Sequence, residues 1–328
     1  LLYAPVTRHD DFASAVAYLV RRLDENTSRD NYLRAALFIA RDVSIYEEQE
    51  KRFLTSLHER HRIDVTSRRG PRSVAPDENF WNEPDGDPTN DTYVTQVTQE
   101  IVAVRERANN VIDSLSHLEG TDSPSFEEGR DPSDHGHPWY RYRVASKNDV
   151  DRALARALEG FSTWRDVSAT NRATTLRHVA ETMATRRARS IAVMARDGAK
   201  TVAEADAEVS EGVDFARFYA AHAPSKDLSS PLGVVLVVSP WNFPYAIPAG
   251  GILASLAAGN AVILKPAPES VAVAAELVGQ LWDAGVPRDV LQLIPTRDDE
   301  CGHHLVTHAD VSAVILTGSF ETAALFTS

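Results

Sequence analysis

Cysteine is nearly absent. Cys301 is the single thiol in 328 residues, which excludes an internal disulfide and fits a reducing, cytoplasmic setting. Positive charge is also scarce: Lys and Arg number 34 against 47 Asp and Glu, a formal charge of −13. Nucleic acid and anionic membrane surfaces are excluded as partners, because both need a basic face. A long unbroken apolar helix is missing too. Leu228 to Leu264 carries no charge, but Pro240, Pro244, Pro248, Gly250, Gly251 and the pair Gly259-Asn260 interrupt it. A membrane span needs about 20 apolar residues in one helix, so the run reads as a buried strand-helix-strand unit and no integral membrane segment is expected. Leu1 to Val6 is too short for a secretory leader and runs into Arg8-His9-Asp10-Asp11. No initiator methionine opens the chain, and an internal fragment is expected.

What is present is ample apolar content, 43% of residues, enough for a real core and for two domains. Phe12, Ala15, Val16, Leu19, Val20 and Leu23 follow the helical period, and a second helical stretch covers Tyr32 to about His58. A broken basic patch (Arg60 to Arg72) follows. Asp77 to Glu100 then holds seven acidic residues and no Lys or Arg. With Pro84, Gly86 and Pro88 as breakers it reads as an extended linker or surface wrap, not a core element. Val94 to Leu118 is amphipathic and predicts a helix, and Thr121 to Pro138 is loop-like. Tyr140 to Val144 alternates as a strand. Ser146 and Asp149 form a capping-box start for a helix through Trp164. Val150, Leu154, Ala157, Leu158 and Phe161 line its buried face. Further helices are expected at 168–183, 189–196 and 203–221.

After Pro231 strands at about 233–238, 261–264, 290–293 and 311–316 alternate with helices at about 246–258, 269–284 and 300–308. Apolar strands without polar alternation, joined by helical crossovers, predict an α/β domain with a doubly wound parallel sheet. Ligands of such sheets bind beyond the carboxyl ends of the strands. Three junctions stand there: Ser239-Pro240-Trp241-Asn242-Phe243-Pro244, Lys265-Pro266, and Thr317-Gly318-Ser319. By residue type alone, Asn242 either donates its amide N–H to a developing oxyanion, worth roughly 3 kcal/mol in a dry site, or caps a turn. Lys265 either meets a ligand or is a solvated lysine. Thr317-Gly318-Ser319 opens a helix whose free N–H groups suit an anion. His304 and His308 stand at i, i+4 and His135-Gly136-His137 is a short pair. Neither has a carboxylate or thiolate at convincing spacing except Glu300, so no metal site is expected.

Together these junctions resemble the cofactor domain of the aldehyde dehydrogenase superfamily, which also lacks a Gly-x-Gly-x-x-Gly fingerprint. The resemblance implies an NAD site made by Ser239, Pro240, Trp241, Lys265, Gly318 and Ser319. It also implies that Asn242 holds the carbonyl oxygen of a thiohemiacetal formed on a catalytic cysteine. Many members carry glutamate where Pro268 stands here, with Glu269 one place later, so NAD and NADP both remain open. In the family, nucleophile and general base follow the Thr-Gly-Ser turn. Cys301 precedes it and is expected to be a structural thiol, and the chain by itself is not expected to oxidise aldehydes.

Arg21 and Arg22 are adjacent on a helix, with Glu25 placed to orient them. This segment resembles the last strand and helix of a proline dehydrogenase (β/α) barrel, which implies that Tyr3, Arg21 and Arg22 hold proline over FAD. The order of this segment, of Asn82-Glu83-Pro84-Asp85-Gly86-Asp87 and of the dehydrogenase region is similar to that of bifunctional proline-utilisation enzymes. The implied organisation is the end of a barrel at 1–60, a linker and wrap at 61–138, and the first part of an aldehyde dehydrogenase domain at 139–328. The implied function is proline catabolism: FAD-dependent oxidation of proline to pyrroline-5-carboxylate, then NAD-dependent oxidation of glutamate γ-semialdehyde to glutamate. Small-molecule substrates and a homo-oligomer are expected. The alternatives are an aldehyde dehydrogenase of other substrate with an unrelated helical extension, or a non-catalytic nucleotide-binding module.

Overall fold

A computed structural model describes residues 16, 32–36, 38–62, 80–106, 110–116, 118, 125–134, 137–224 and 230–318. Tyr3, Arg21, Arg22 and Ser319, and most of the first expected helix, lie outside the described residues. The chain divides into two compact units, Leu1–Arg68 and Arg69–Ser328. In the first, the helical stretch expected from Tyr32 to His58 is two helices, α1 (Tyr32–Ala36) and α2 (Val43–Glu59). The break has a local cause: Asp42 is extended, and its side chain accepts the Ser44 N–H at 2.9 Å to start α2. No strand is found among this unit's described residues.

The described part of the second unit begins with Phe80 to Asn90, an irregular segment clamped to the helix pair beneath it. Asp214 accepts from Asn82 Nδ2 and the Glu83 N–H, both at 2.6 Å, and Asp206 accepts from the Gly86 N–H at 2.6 Å. Arg187 reaches Glu83 and Asp206, and Arg217 reaches Glu83. The acidic run therefore wraps the surface by salt bridges as far as residue 90. A helix was expected from Val94, and it begins three residues earlier. Helix α3 (Asp91–Glu106) thus starts inside the acidic run and buries Val97 and Val104 in the main core. The helix expected to run to Leu118 ends at Glu106. Asn110, Val111 and Ile112 instead form β1, paired in parallel with Tyr140, Arg141 and Tyr142 of β3 (Pro138–Arg143). β2 (Phe126–Arg130) lies antiparallel on the other side of β3. The loop expected at 121–138 thus contributes a strand, in which Glu127 and Gly129 face Tyr142 and Tyr140 of β3 while Phe126 lies on the other face under Arg141 and Arg143.

Four helices follow: α4 (Lys147–Trp164), α5 (Ala169–Thr185), α6 (Arg187–Asp197) and α7 (Val202–His222). The capping box at Ser146 and Asp149 is formed as expected, and a second one at Thr201 and Glu204 starts α7. The sheet then alternates with helices: β4 (Val234–Val238), α8 (Ala246–Ala257), β5 (Ala261–Lys265), α9 (Val271–Asp283), β6 (Leu291–Leu293), α10 (Glu300–Val306) and β7 (Val311–Leu316). The spatial order is β6-β5-β4-β7, all parallel. Each residue of β4 and β5 is buried because both faces are covered. Val237, Val262 and Leu264 pack with α5 to α9, whereas Val234, Leu236, Val238 and Ile263 pack with α4 and α10. The sheet starts are pinned by Asn260, whose Oδ1 accepts from the Leu232 and Gly233 N–H groups at 2.6 and 3.1 Å. Gly259 beside it has φ 88°, a left-handed backbone that a side chain there would strain.

Candidate functional site

Strand register decides what meets at the carboxyl edge. Val238 of β4 is level with Lys265 of β5 on one side and Leu316 of β7 on the other. The Ser239 N–H donates to the Lys265 carbonyl at 3.2 Å and the Thr317 N–H to the Val238 carbonyl at 3.1 Å, so the three chains leave the sheet together. Crossovers before β6 and after it lie on opposite faces, and the strand order reverses between β4 and β7. A cleft of about 540 Å³ opens there, lined by Ser239, Pro240, Trp241, Asn242, Lys265, Glu269, Asp298, Thr317 and Gly318 among others. An open α/β sheet offers a ligand crevice at such a reversal.

The structure brings Ser239, Pro240, Trp241, Asn242, Lys265 and Gly318 to one cleft. Lys265 is 4% exposed, and its Nζ pairs at 2.7 Å with the Asp298 carboxylate, whose side chain is 73% exposed. The ammonium is therefore aimed out of the sheet, toward the cleft mouth. Trp241 is 60% exposed and forms an aromatic wall. Asn242 is exposed in the same turn. Cys301 faces elsewhere: its Sγ donates to the Ala145 carbonyl at 3.3 Å, and burial pushes the thiol up to about 11, so it is protonated at neutral pH and a poor nucleophile.

The turn after β4 is held from below by residues the sequence reading passed over. Helix α8 starts at Ala246 with no side-chain cap of its own. Glu208 of α7, which is 1% exposed, supplies one from outside: its Oε2 accepts from the Tyr245 and Ala246 N–H groups at 3.1 and 3.2 Å. Lys200 ion-pairs with Glu208 and lies 4.4 Å from the centre of the Phe243 ring. Ala199 aims it from a left-handed backbone, φ 51°. Tyr245 is fully buried and donates from its hydroxyl to Gln280 at 2.6 Å. A signal for Glu208 was available in the sequence, because it falls in the stripe Ala205, Val209, Gly212, Val213, Ala216, where a lone carboxylate needs partners. Asp298 offered none, since it comes from a loop 33 residues after Lys265.

A cleft at the sheet reversal, with a lysine at the end of β5 and no glycine-rich fingerprint, defines a class of dehydrogenase. The aldehyde dehydrogenase family model matches residues 120–327, and the chain belongs to that family. Among curated proteins it is 39% identical over 186 residues to the bifunctional protein PutA of Salmonella typhimurium, covering 56% of this chain and 14% of that protein. It is 30% identical over 258 residues to a 1-pyrroline-5-carboxylate dehydrogenase of Staphylococcus epidermidis, covering 74% of this chain and 50% of that one. The chain thus spans half or less of these relatives. Among solved structures, a 1-pyrroline-5-carboxylate dehydrogenase from Thermus with bound NAD superposes with TM-score 0.70 at 28% identity, over 77% of this chain and 52% of that one. PutA from Bdellovibrio bacteriovorus, inactivated by N-propargylglycine, gives TM-score 0.69 at 26% identity, over 95% of this chain and 33% of that one.

Proposed function

We propose that this chain is the NAD-binding part of a 1-pyrroline-5-carboxylate (glutamate γ-semialdehyde) dehydrogenase within a bifunctional proline-catabolic protein. The carrying observation is the level convergence of Ser239 to Asn242, Lys265 and Thr317-Gly318 on one cleft. The donor set suits a dinucleotide. The buried Lys265 ammonium has an exposed carboxylate as its ion-pair partner, which a ribose hydroxyl can displace, and Trp241 offers an apolar wall. Glu269 lines the same cleft. Its carboxylate can accept hydrogen bonds from ribose hydroxyls and repels a 2′-phosphate, which supports NAD over NADP. Bound NAD would accept the hydride. Asn242, held by the Glu208-anchored turn, would donate its amide N–H to the substrate oxygen. The NAD-bound Thermus relative supports the cofactor, and the PutA relatives support the link to proline. Within the longer protein, residues 1–60 would close a proline dehydrogenase barrel, with Arg21 and Arg22 on the proline carboxylate and Tyr3 on its ring beside FAD. Oxidation of the semialdehyde would need groups that the family carries after the Thr-Gly-Ser turn, so the isolated chain would bind NAD without turnover.

Calorimetric titration of the 328-residue chain tests this. NAD should bind saturably and NADP more weakly, and Lys265→Ala should cost about tenfold in affinity, the worth of one or two charge-assisted bonds. In the longer protein, Asn242→Ala should lower kcat by about 100-fold with little change in NAD affinity. Absence of NAD binding, or an Asn242→Ala enzyme of normal kcat, would overturn the reading.

A further inference from the structure

The carboxylate that meets both His304 and His308 is distant in sequence and is supplied by the fold. α4 and α10 lie side by side on the same sheet face, with Val150, Leu154, Leu305 and Val306 in one apolar cluster. At the outer rim of that seam Asp151 of α4 meets both imidazoles. Asp151 Oδ1 is 2.6 Å from His304 Nε2 and 3.5 Å from His308 Nε2. The three candidate donor atoms all lie within 4.8 Å of one another. The two rings are 5.2 Å apart and nearly perpendicular, so their Nε2 atoms converge without stacking.

We propose that Asp151, His304 and His308 form a binding site for a borderline divalent metal ion of the zinc type, which staples α4 to α10. The donor chemistry suits such an ion, with two imidazole nitrogens and one carboxylate oxygen and further positions left to water. Donors of a tetrahedral zinc stand about 3.4 Å apart, so the present spacing needs shifts of an ångström or less, within reach of half-exposed side chains. A hard ion such as Mg²⁺ is a poor match, since it prefers an all-oxygen octahedron. Asp310 provides the outer support expected of a metal-binding histidine: its Oδ2 is 3.7 Å from His308 Nδ1. In the structure as it stands, the Asp310 N–H points at that Nδ1 at 3.2 Å, which places the ring proton on Nε2. Coordination through Nε2 moves the proton to Nδ1, which requires the Asp310 N–H to give up that nitrogen and the Asp310 carboxylate to close from 3.7 Å to accept the Nδ1–H bond. Because Val311 opens β7 directly after this site, the staple also ties down the strand that delivers Thr317 and Gly318 to the cleft.

The test is titration of the chelator-treated 328-residue chain with ZnCl2, followed by calorimetry and thermal unfolding. One equivalent should bind and raise the Tm, and MgCl2 should do neither. His304→Ala, His308→Ala and Asp151→Asn should each weaken binding at least tenfold, and Asp310→Asn by about tenfold. His303→Ala, an exposed neighbour on α10, and Cys301→Ser should leave binding unchanged. Retention of the equivalent in the His304→Ala/His308→Ala double variant, or its loss on changing His303 or Cys301, would overturn the proposal. If a variant fails to fold, Co²⁺ in the unaltered chain decides. Two paramagnetically shifted imidazole N–H signals are expected, and their absence refutes the site.

Discussion

Glu208 and Asp197 are both carboxylates shut away from water, and they are partnered differently. Glu208 has a cation and two helix N–H groups around it. Removing one member of such a buried pair strands the other, a loss of about 3 kcal/mol or more. Glu208→Ala should therefore lower the denaturant-unfolding free energy by roughly that amount, whereas a change below about 1 kcal/mol would mean the contact is dispensable. Asp197 is poorer in partners. Its Oδ2 accepts the Val273 N–H at 3.1 Å, but its Oδ1 has no hydrogen-bond partner, and burial pushes the carboxyl up from 3.8 to about 7. The folded state thus holds a proton there that the unfolded chain releases between about pH 4 and about pH 7. The associated stability is complete below that window and is lost as pH rises through it. Asp197→Asn should flatten this dependence, gaining on the unaltered chain at about pH 8 relative to about pH 5, as read from urea midpoints. The reverse ranking would contradict it. Single residues such as Lys265 were legible from the sequence because a strand end announces them. Glu208 could be flagged as a lone carboxylate in an apolar stripe but its partners could not, and Asp197 and Asp151 gave no signal, since their partners come from distant elements.

At the scale of elements, the strands and helices after Pro231 were readable almost to the residue. Their apolar runs are bounded by proline and glycine; β4, β5 and β6 are buried on both faces, whereas β7, last in the described strand order, leaves Val314 and Ile315 39% exposed. Residues 91–130 were harder. A helix was expected from Val94 to Leu118, but the acid-rich composition hid its first turn and the apolar residues beyond hid its end at Glu106; Val97 and Val104 are buried on its inward side, with Tyr93 and Ile101 packed beside them. β1 and β2 are short and depend on β3 for pairing. Packing between elements imposes its own demands. Gly160 on α4 lies so close to the approach to β6 that an added Cβ would sit 2.4 Å from the Asp289 carbonyl oxygen. Backbone cannot yield as a flexible side chain does. Gly160→Ala, although better for an isolated helix, should lose about 1–3 kcal/mol, measurable as a lower Tm. A rise in Tm would show that α4 can slide.

For the whole molecule, residues 69–328 form a compact unit that contains every described residue of the cleft. A polypeptide of residues 69–328 should therefore bind NAD with the affinity of the full chain. A large drop would assign part of the site to the first 68 residues. The barrel end, by contrast, was read from residues that lie outside the described set, and the helices α1 and α2 alone carry too little pattern to specify it.

Helix α8 has a consequence in time as well as in space. It contains Pro248, Gly250 and Gly251 and no charge, a poor helix former by itself. Its ends are held by groups remote in sequence. Glu208 takes its first N–H groups, and the Trp164 indole and Arg172 guanidinium take the Leu256 and Ala257 carbonyls at 3.0 and 3.1 Å. The signs match the helix dipole, negative at the start and positive at the end. All three donors of support precede α8 in the chain. As the polypeptide emerges during synthesis, α5 and α7 can already stand as a mould when α8 arrives, and the turn before α8 takes its shape against them.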